Sequence, residues 1–180
     1  LGNSETPTVR LFVMDVDGTL TDGTLTYAAD GTELKSFHSK DGAAIKLLPT
    51  VGVTPAIISG RTSTPTARRA RELGIEHVHQ GVGDKAACLR ALCAEVGIPE
   101  AETAYVGDDL SDLPPMRMCG FSAAPADAAT EVRAEAEFVA DLPGGRGAVR
   151  QAIEALLRAD GRWEQILARL AGPAKTGGPA

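Results

Sequence analysis

The residues of this chain that could do chemistry fall in four places along the sequence. Asp15 and Asp17 stand one residue apart ahead of Gly18 and Thr19, Ser59 precedes Gly60 and Arg61, Lys85 follows Asp84, and Asp108, Asp109 and Asp112 follow Gly107. Two carboxylates this close repel, and each favours its protonated form unless a cation holds it charged. An all-oxygen donor set of this kind suits Mg2+. The same residues suit phosphoryl transfer, because a phosphate monoester repels nucleophiles and needs its charge neutralised as the bond to the leaving oxygen breaks. Asp15 could take the phosphoryl group as an aspartyl phosphate, dividing hydrolysis into two steps. Asp17 is placed to protonate the leaving alcohol and later to activate water. Ser59 and Lys85 could hold phosphoryl oxygens. Asp108 would add a hard metal ligand, with Asp109 and Asp112 bracing it.

Singly, each residue has a plainer use. Asp-x-Asp-Gly also occurs in turns and in calcium loops, although a calcium loop needs oxygens at alternating positions and a closing Glu between helices. Thr19-Leu20-Thr21 and the apolar run before Asp15 do not fit that pattern. Ser59 alone is a turn residue, Lys85 a solvated helix-start residue, and Asp109 and Asp112 helix caps. Their joint order singles them out.

The elements that must position these residues follow from patterning. Residues 9–14 form an apolar, β-branched-rich run that reads as a buried parallel strand ending at the acids. Were it to persist to residue 17, a period of two would set Asp15 and Asp17 on one side. Further strands are expected over 52–58, 75–79, 103–106, 120–123 and 137–139. Helices are expected over 43–48, opened by Asp41 and ended before Pro49, and over 65–73, 85–96, 126–134, 148–157 and 162–170, with a short helical segment at Pro114-Pro115. Asp84 is the expected cap of the 85–96 helix and Gly97 its stop. Runs 25–28 and 33–37 around Asp30-Gly31 read as a hairpin flap beside the acids.

Strands alternating with helices predict an α/β fold, a doubly wound parallel sheet covered on both faces. Ligands of such sheets sit beyond the carboxyl ends of the strands, where the acids, Ser59 and the second acidic cluster all fall. The gaps from Asp17 to Ser59 and from Ser59 to Lys85 are each shorter than a ~50-residue domain, so no large cap is expected. The expected organisation is a flexible N-terminus (1–8), one domain (9–170) and a disordered Gly/Pro-rich tail (171–180).

Composition narrows the partners. With 180 residues, 43% hydrophobic and 23% charged, the chain is an ordinary globular protein with one core. A net charge of -6 argues against nucleic acid or an anionic membrane, and 4% aromatics against base stacking. No apolar run has the length of a membrane span, which makes the cytoplasm the expected location. Cys88, Cys93 and Cys119 are scattered without metal-site spacing and read as reduced packing residues. His38, His77 and His79 read as structural, and His77 and His79 cannot form the i, i+4 pair of a helical zinc site.

Asp15-Val16-Asp17-Gly18-Thr19, Ser59-Gly60-Arg61, Lys85 and Gly107-Asp108-Asp109-Leu110-Ser111-Asp112 resemble, in that order, the four motifs of the haloacid dehalogenase superfamily of phosphohydrolases. The resemblance implies Asp15 as nucleophile and metal ligand, and Asp17 as general acid/base whose carbonyl binds the metal. It further implies Ser59 and Lys85 on the phosphoryl group and Asp108 as metal ligand. Lys35-Ser36-Phe37, Asp41-Gly42, Gln80-Gly81 and Gly144-Gly145-Arg146-Gly147 add a likeness to the phosphatases of 3-deoxy-manno-octulosonate 8-phosphate and of nonulosonate 9-phosphates. That likeness implies a small phosphorylated sugar acid as substrate and a homotetramer whose neighbouring subunits help close the pocket. Thr19, Gly60, Arg61, Lys40 and Arg146 are then the substrate-binding candidates. Arg61 is suited to a carboxylate by its bidentate guanidinium, Lys40 and Arg69 less so, and Arg146 could reach an adjacent subunit or simply cover a helix start. These relatives commonly carry Asn-x-Arg-Asp-Gly where this chain has His38-Ser39-Lys40-Asp41-Gly42. A receiver-like phosphoacceptor would share the acids, hydroxyl and lysine in a different order, and a catalytically idle scaffold would share the fold alone.

Overall fold

The computed structural model describes residues 8–171. In chain order the elements are β1 (Leu11–Met14), β2 (Thr26–Tyr27), β3 (Glu33–Leu34), α1 (Ser39–Ile45), β4 (Thr54–Ile58), α2 (Thr64–Leu73), β5 (His77–His79) and α3 (Lys85–Val96). They continue with β6 (Thr103–Val106), α4 (Leu113–Met116), β7 (Phe121–Ala124), α5 (Thr130–Glu135), β8 (Phe138–Val139), α6 (Ala148–Ala159) and α7 (Arg162–Ala171). Six strands make a parallel sheet in the order β5-β4-β1-β6-β7-β8, and β2 and β3 form a separate antiparallel hairpin. The expected doubly wound sheet with a small flap is what the chain adopts, and no large cap domain is present among the described residues. The expected flexible termini lie outside the described residues, Thr8 and Ala171 excepted.

β1 occupies the centre of the sheet because both its faces are apolar. Phe12 and Met14 face the layer of α1, α6 and α7, among Ile45, Val149, Ile153, Leu157 and Trp163. Leu11 and Val13 face α3, α4 and α5, among Leu89, Leu92, Met116 and Val132. Successive side chains of a strand point to opposite faces, so an uninterrupted apolar run is what a strand covered on both sides requires. The chain departs from β1 to β4 on one side and reaches β6 on the other, which makes the carboxyl end of β1 the switch point of the sheet.

The structure corrects several sequence expectations. β1 stops at Met14, so Asp15 and Asp17 do not share a strand face. Asp15 still donates its N–H to the Val106 carbonyl at 2.9 Å, after which the chain turns. Asp41 does not open its own helix. α1 begins at Ser39 with His38 at its N-cap, and the buried Asp41 carboxylate accepts the N–H groups of Gly147 (3.2 Å) and Arg150 (2.8 Å). The reason lies in α6, whose N-cap is Gly147 at φ +114, a residue with no side chain to satisfy the free N–H groups of a helix start. Asp41 supplies that acceptor from α1. Pro49 does not follow a long helix; α1 ends at Ile45, and Pro49 sits in the first turn of a 3-10 helix, Leu48–Val51, where its missing N–H costs nothing.

α5 starts at Thr130, four residues later than expected, because residues 126–129 tie loops together. Ala126 donates to the Leu142 carbonyl, Ala129 to the Asp108 carbonyl, and Asp127 accepts from Gly144 N–H. No described helix is long and apolar enough to cross a membrane.

Candidate active site

At the carboxyl end of β1 the chain turns at Gly18, with φ +92. A Cβ there would lie 2.0 Å from Asp108 Oδ2, so only glycine lets the loop after β6 come this close to the loop after β1. Lys85, the first residue of α3, reaches across from the β5 side, its Nζ 2.9 Å from Asp15 Oδ1 and 2.7 Å from Asp112 Oδ1. Asp112 is saturated with donors. Its Oδ1 also accepts the Tyr105 hydroxyl at 2.9 Å, and its Oδ2 accepts the N–H groups of Asp108 (3.1 Å) and Asp109 (3.2 Å). Those bonds fold the loop after β6 so that the Asp108 carboxylate faces Asp15. Asp109 is exposed, and its carboxylate accepts Leu110 N–H.

Carboxylate oxygens of Asp15, Asp108 and Asp112 lie within 4.8 Å of one another. Burial, and then the charge of Asp112, push Asp15 up to about 6 against the pull of Lys85. Burial, and then Asp15, push Asp108 up to about 7, while the hydrogen bond from Thr19 works the other way. Burial acts to lower Lys85, but Asp15 and Asp112 outweigh it and hold the ammonium above its ordinary range. Burial followed by Asp112 raises the Tyr105 phenol well above its usual value. Three carboxylates against one ammonium leave a surplus of negative charge, in an oxygen-lined nook at the end of the central strand. A hard divalent cation fits that donor set, with Asp15 and Asp108 the carboxylates free to hold it, since both oxygens of Asp112 are engaged.

A second layer covers the first. Asp17 is half-buried; Lys35 Nζ donates to its Oδ1, and Arg61 Nε lies 3.6 Å from its Oδ2. Arg61 Nη2 donates to Glu33 Oε1 at 2.8 Å and to the Tyr27 hydroxyl at 3.2 Å. The Ser63 hydroxyl donates to Glu33 Oε2 at 2.6 Å. Ser59 is buried at the end of β4, its N–H on the His79 carbonyl and its hydroxyl accepting Arg61 N–H at 3.4 Å. Gly60 is exposed, and a Cβ there would meet only Val82 O at 3.7 Å, so no crowding demands glycine.

Other residues singled out from the sequence stand elsewhere. Thr19 is fully buried and donates its hydroxyl to Asp108 Oδ1 at 2.9 Å, so its side chain supports an acid. Lys40 is exposed on α1, and its side chain takes part in none of the hydrogen bonds or ion pairs among the described residues. Arg146 is exposed and pairs with Asp22 at 3.5 Å. The Gly-Gly-Arg-Gly stretch acts through its backbone. Gly145 N–H donates to the Thr19 carbonyl, and a Cβ on Gly144 would fall 1.8 Å from Gly18 O. A cavity of about 770 Å³ lies between the hairpin and α2; its lining includes Glu33, Lys35, Ser63 and Arg69 but none of Asp15, Asp108 and Asp112.

Sequence reasoning from spacing assigned no role to Tyr105, Glu33 or Lys35. Tyr105 had a signal, a phenol between Ala104 and Val106 in a buried strand directly before the acidic loop. Glu33 and Lys35 had none, since charged residues on a two-stranded hairpin ordinarily face water.

Residues 75–153 match the family described as haloacid dehalogenase-like hydrolase. The chain is 40% identical over 154 residues to 3-deoxy-D-manno-octulosonate 8-phosphate phosphatase KdsC of Haemophilus influenzae, covering 86% of each chain. A crystal structure of 3-deoxy-D-manno-octulosonate 8-phosphate phosphatase from Moraxella catarrhalis, in complex with magnesium, phosphate and KDO, superposes with a TM-score of 0.87 at 40% identity, over 90% of this chain and 93% of that one. The cobalt-bound form of the Haemophilus influenzae enzyme superposes with a TM-score of 0.82 at 40% identity, over 86% and 90% of the two chains.

Proposed function

The chain belongs to the haloacid dehalogenase-like hydrolases and hydrolyses phosphoric monoesters with Mg2+ as cofactor; we propose that its substrate is a small phosphorylated sugar acid, cleaved through an aspartyl phosphate on Asp15. KDO 8-phosphate is the first such ester to test, because the similar Moraxella catarrhalis structure holds KDO and phosphate. The observation that carries the catalytic reading is the group of buried Asp15 and Asp112 and half-buried Asp108 around Lys85, which is short of positive charge at the mouth of the central strand.

In this reading Asp15, Asp108 and the Asp17 carbonyl hold Mg2+. The bound ion supplies positive charge to the phosphoryl oxygens as the ester bond breaks. The Asp15 carboxylate attacks phosphorus, while Lys85 and Ser59 hold phosphoryl oxygens in line with it. Asp17 gives a proton to the leaving oxygen and takes one from the water that releases phosphate from Asp15. Asp112 keeps Lys85, Tyr105 and the Asp108 loop in register, and Asp109 joins through its backbone N–H. Arg61, whose present partner is the Glu33 carboxylate, is the group to meet the carboxylate of the sugar acid. The reading includes a homotetramer in which the hairpin meets a neighbouring copy, supported by the exposure of Leu25, Tyr27 and Leu34.

Phosphate release from a panel of sugar and sugar-acid phosphates, with and without Mg2+, tests the assignment. Turnover of the sugar-acid esters that requires Mg2+ and vanishes in Asp15→Asn is expected. Labelling of the protein without turnover would indicate a phosphoacceptor instead. A monomer in light scattering that retains full activity would reject the shared pocket.

A further inference from the structure

Asp17 must present its carboxyl to the leaving oxygen, yet no regular element holds it. It lies past the end of β1, immediately before the turn at Gly18, and its carboxylate is met by two cations, Lys35 and Arg61. Lys35 comes from just beyond β3 of the hairpin. Its neighbour Leu34 is 54% exposed, whereas the Lys35 side chain is 1% exposed and turned inward onto Asp17. Burying a lysine on a surface hairpin is costly unless its charge is matched, and here Asp17 and, at 3.7 Å, Glu33 match it. Glu33 in turn accepts from Arg61 and from Ser63, both in the loop between β4 and α2. The hairpin is thereby fastened at two points, by Glu33 to that loop and by Lys35 to Asp17.

We propose that Lys35, braced by Glu33, is the positioning residue for the proton donor: the hairpin aims the Asp17 carboxyl at the leaving-group oxygen as well as covering the site. The proposal rests on the phosphatase reading above and adds a role for two residues outside the phosphoryl-binding set. A proton donor works only within about 2.6–3.2 Å of the atom it serves, and a misplacement of about 1 Å can cost on the order of 100-fold.

The test is a series of phosphate monoesters from glycerol phosphate through phenyl to 4-nitrophenyl phosphate, assayed with the full chain and Mg2+. Esters of acidic alcohols leave without a proton, so they do not need a well-aimed Asp17. The parameter is kcat/KM, which stops at the first irreversible step and leaves out later hydrolysis of the Asp15 ester. Lys35→Met is expected to lose about 10- to 100-fold on glycerol phosphate but under about 3-fold on 4-nitrophenyl phosphate, steepening the dependence on leaving group. Lys35→Arg should restore much of the difference. Glu33→Gln, which leaves Lys35 in place and weakens its brace, should steepen the dependence in the same direction and serves if Lys35→Met melts early. A loss equal across the series in both variants, or no loss at all, would overturn the proposal. Absence of hydrolysis of every ester by the unaltered chain would instead remove the phosphatase reading beneath it.

Discussion

Thr19→Val separates two accounts of the same residue. By sequence Thr19 follows the two acids and could meet a substrate; in the structure its hydroxyl is buried and donates to Asp108 Oδ1 at 2.9 Å. Valine keeps the shape and removes the donor. A hydrogen bond to a charged group contributes about 1.5–3 kcal/mol, and each ~1.4 kcal/mol is tenfold in an equilibrium constant, so affinity for Mg2+ should fall about 10- to 100-fold. The same bond opposes the rise of Asp108 to about 7, so its loss moves the carboxyl higher still. Protons then compete harder for the oxygens, and the deficit should widen as the pH falls. The assay is calorimetric binding of Mg2+ together with Mg2+ titration of phosphate release at several pH values. Half-saturating Mg2+ should rise by the stated factor while kcat at saturating metal stays within about 3-fold and KM for the ester is unchanged. An unchanged Mg2+ requirement with a raised KM would refute the reasoning and return Thr19 to the substrate.

Asp41→Ala removes the acceptor for two N–H groups at the start of α6 and should cost about 2 kcal/mol in urea unfolding; a cost under about 0.5 kcal/mol would show that α6 does not depend on it. Because burial holds the Asp41 carboxyl above 3.8, the native state keeps this proton longer than the unfolded chain. Stability relative to Asp41→Asn should therefore be greatest below that pH and fall as pH rises through the native pKa, a rising difference being the contrary result. Gly144→Ala forces a Cβ to within 1.8 Å of Gly18 O, backbone against backbone, and should destabilise by about 1–3 kcal/mol and impair turnover; an unchanged melting temperature would mean the loops part easily. Lys85→Met leaves Asp15 and Asp112 buried without their ammonium, which should abolish turnover and cost about 3–5 kcal/mol in metal-free unfolding at neutral pH, less in acid as the carboxyls take up protons; wild-type stability at neutral pH would contradict the pairing.

The sheet was legible because its signal is local and redundant. Residues 103–106 carry a short β-prone, mostly apolar run and residues 85–96 a capped helical pattern, and strand and helix form over those residues. The order of the chemical residues was legible too, because a doubly wound sheet sends every strand-to-helix loop to one edge whatever lies between. What stayed hidden depends on side chains crossing from one element to another. Nothing in the local sequence shows that Asp41 caps α6 more than a hundred residues away, that Gly144 exists to let its loop lie on Gly18, or that Thr19 faces Asp108. The sequence set Asp112 apart as a brace for Asp108, but did not show which groups it braces against. Asp112 appears in the same run as Asp108, and it is the Tyr105 hydroxyl and two N–H groups that take it out of contention.

The charges of the two layers explain how one small chain can handle both a metal and an anionic substrate. In the inner layer Asp15, Asp108 and Asp112 face Lys85, a surplus of two negative charges when all are ionised, and burial raises two of the acids in protest. A dication cancels that surplus, and low dielectric makes the match strong. In the outer layer Asp17 and Glu33 face Lys35 and Arg61, and the charges already balance. That layer has no appetite for a cation, but the Arg61 side chain is 40% exposed and, on the proposed reading, would exchange one carboxylate for another with little change in charge. Were Arg61 to turn to an incoming carboxylate, Glu33 would keep the Ser63 hydroxyl and the nearby Lys35, so neither acid would be stranded. On the proposed reading the inner layer would take the ion and the outer layer the acid group of the substrate, with the hairpin as the element on which that second selection would turn.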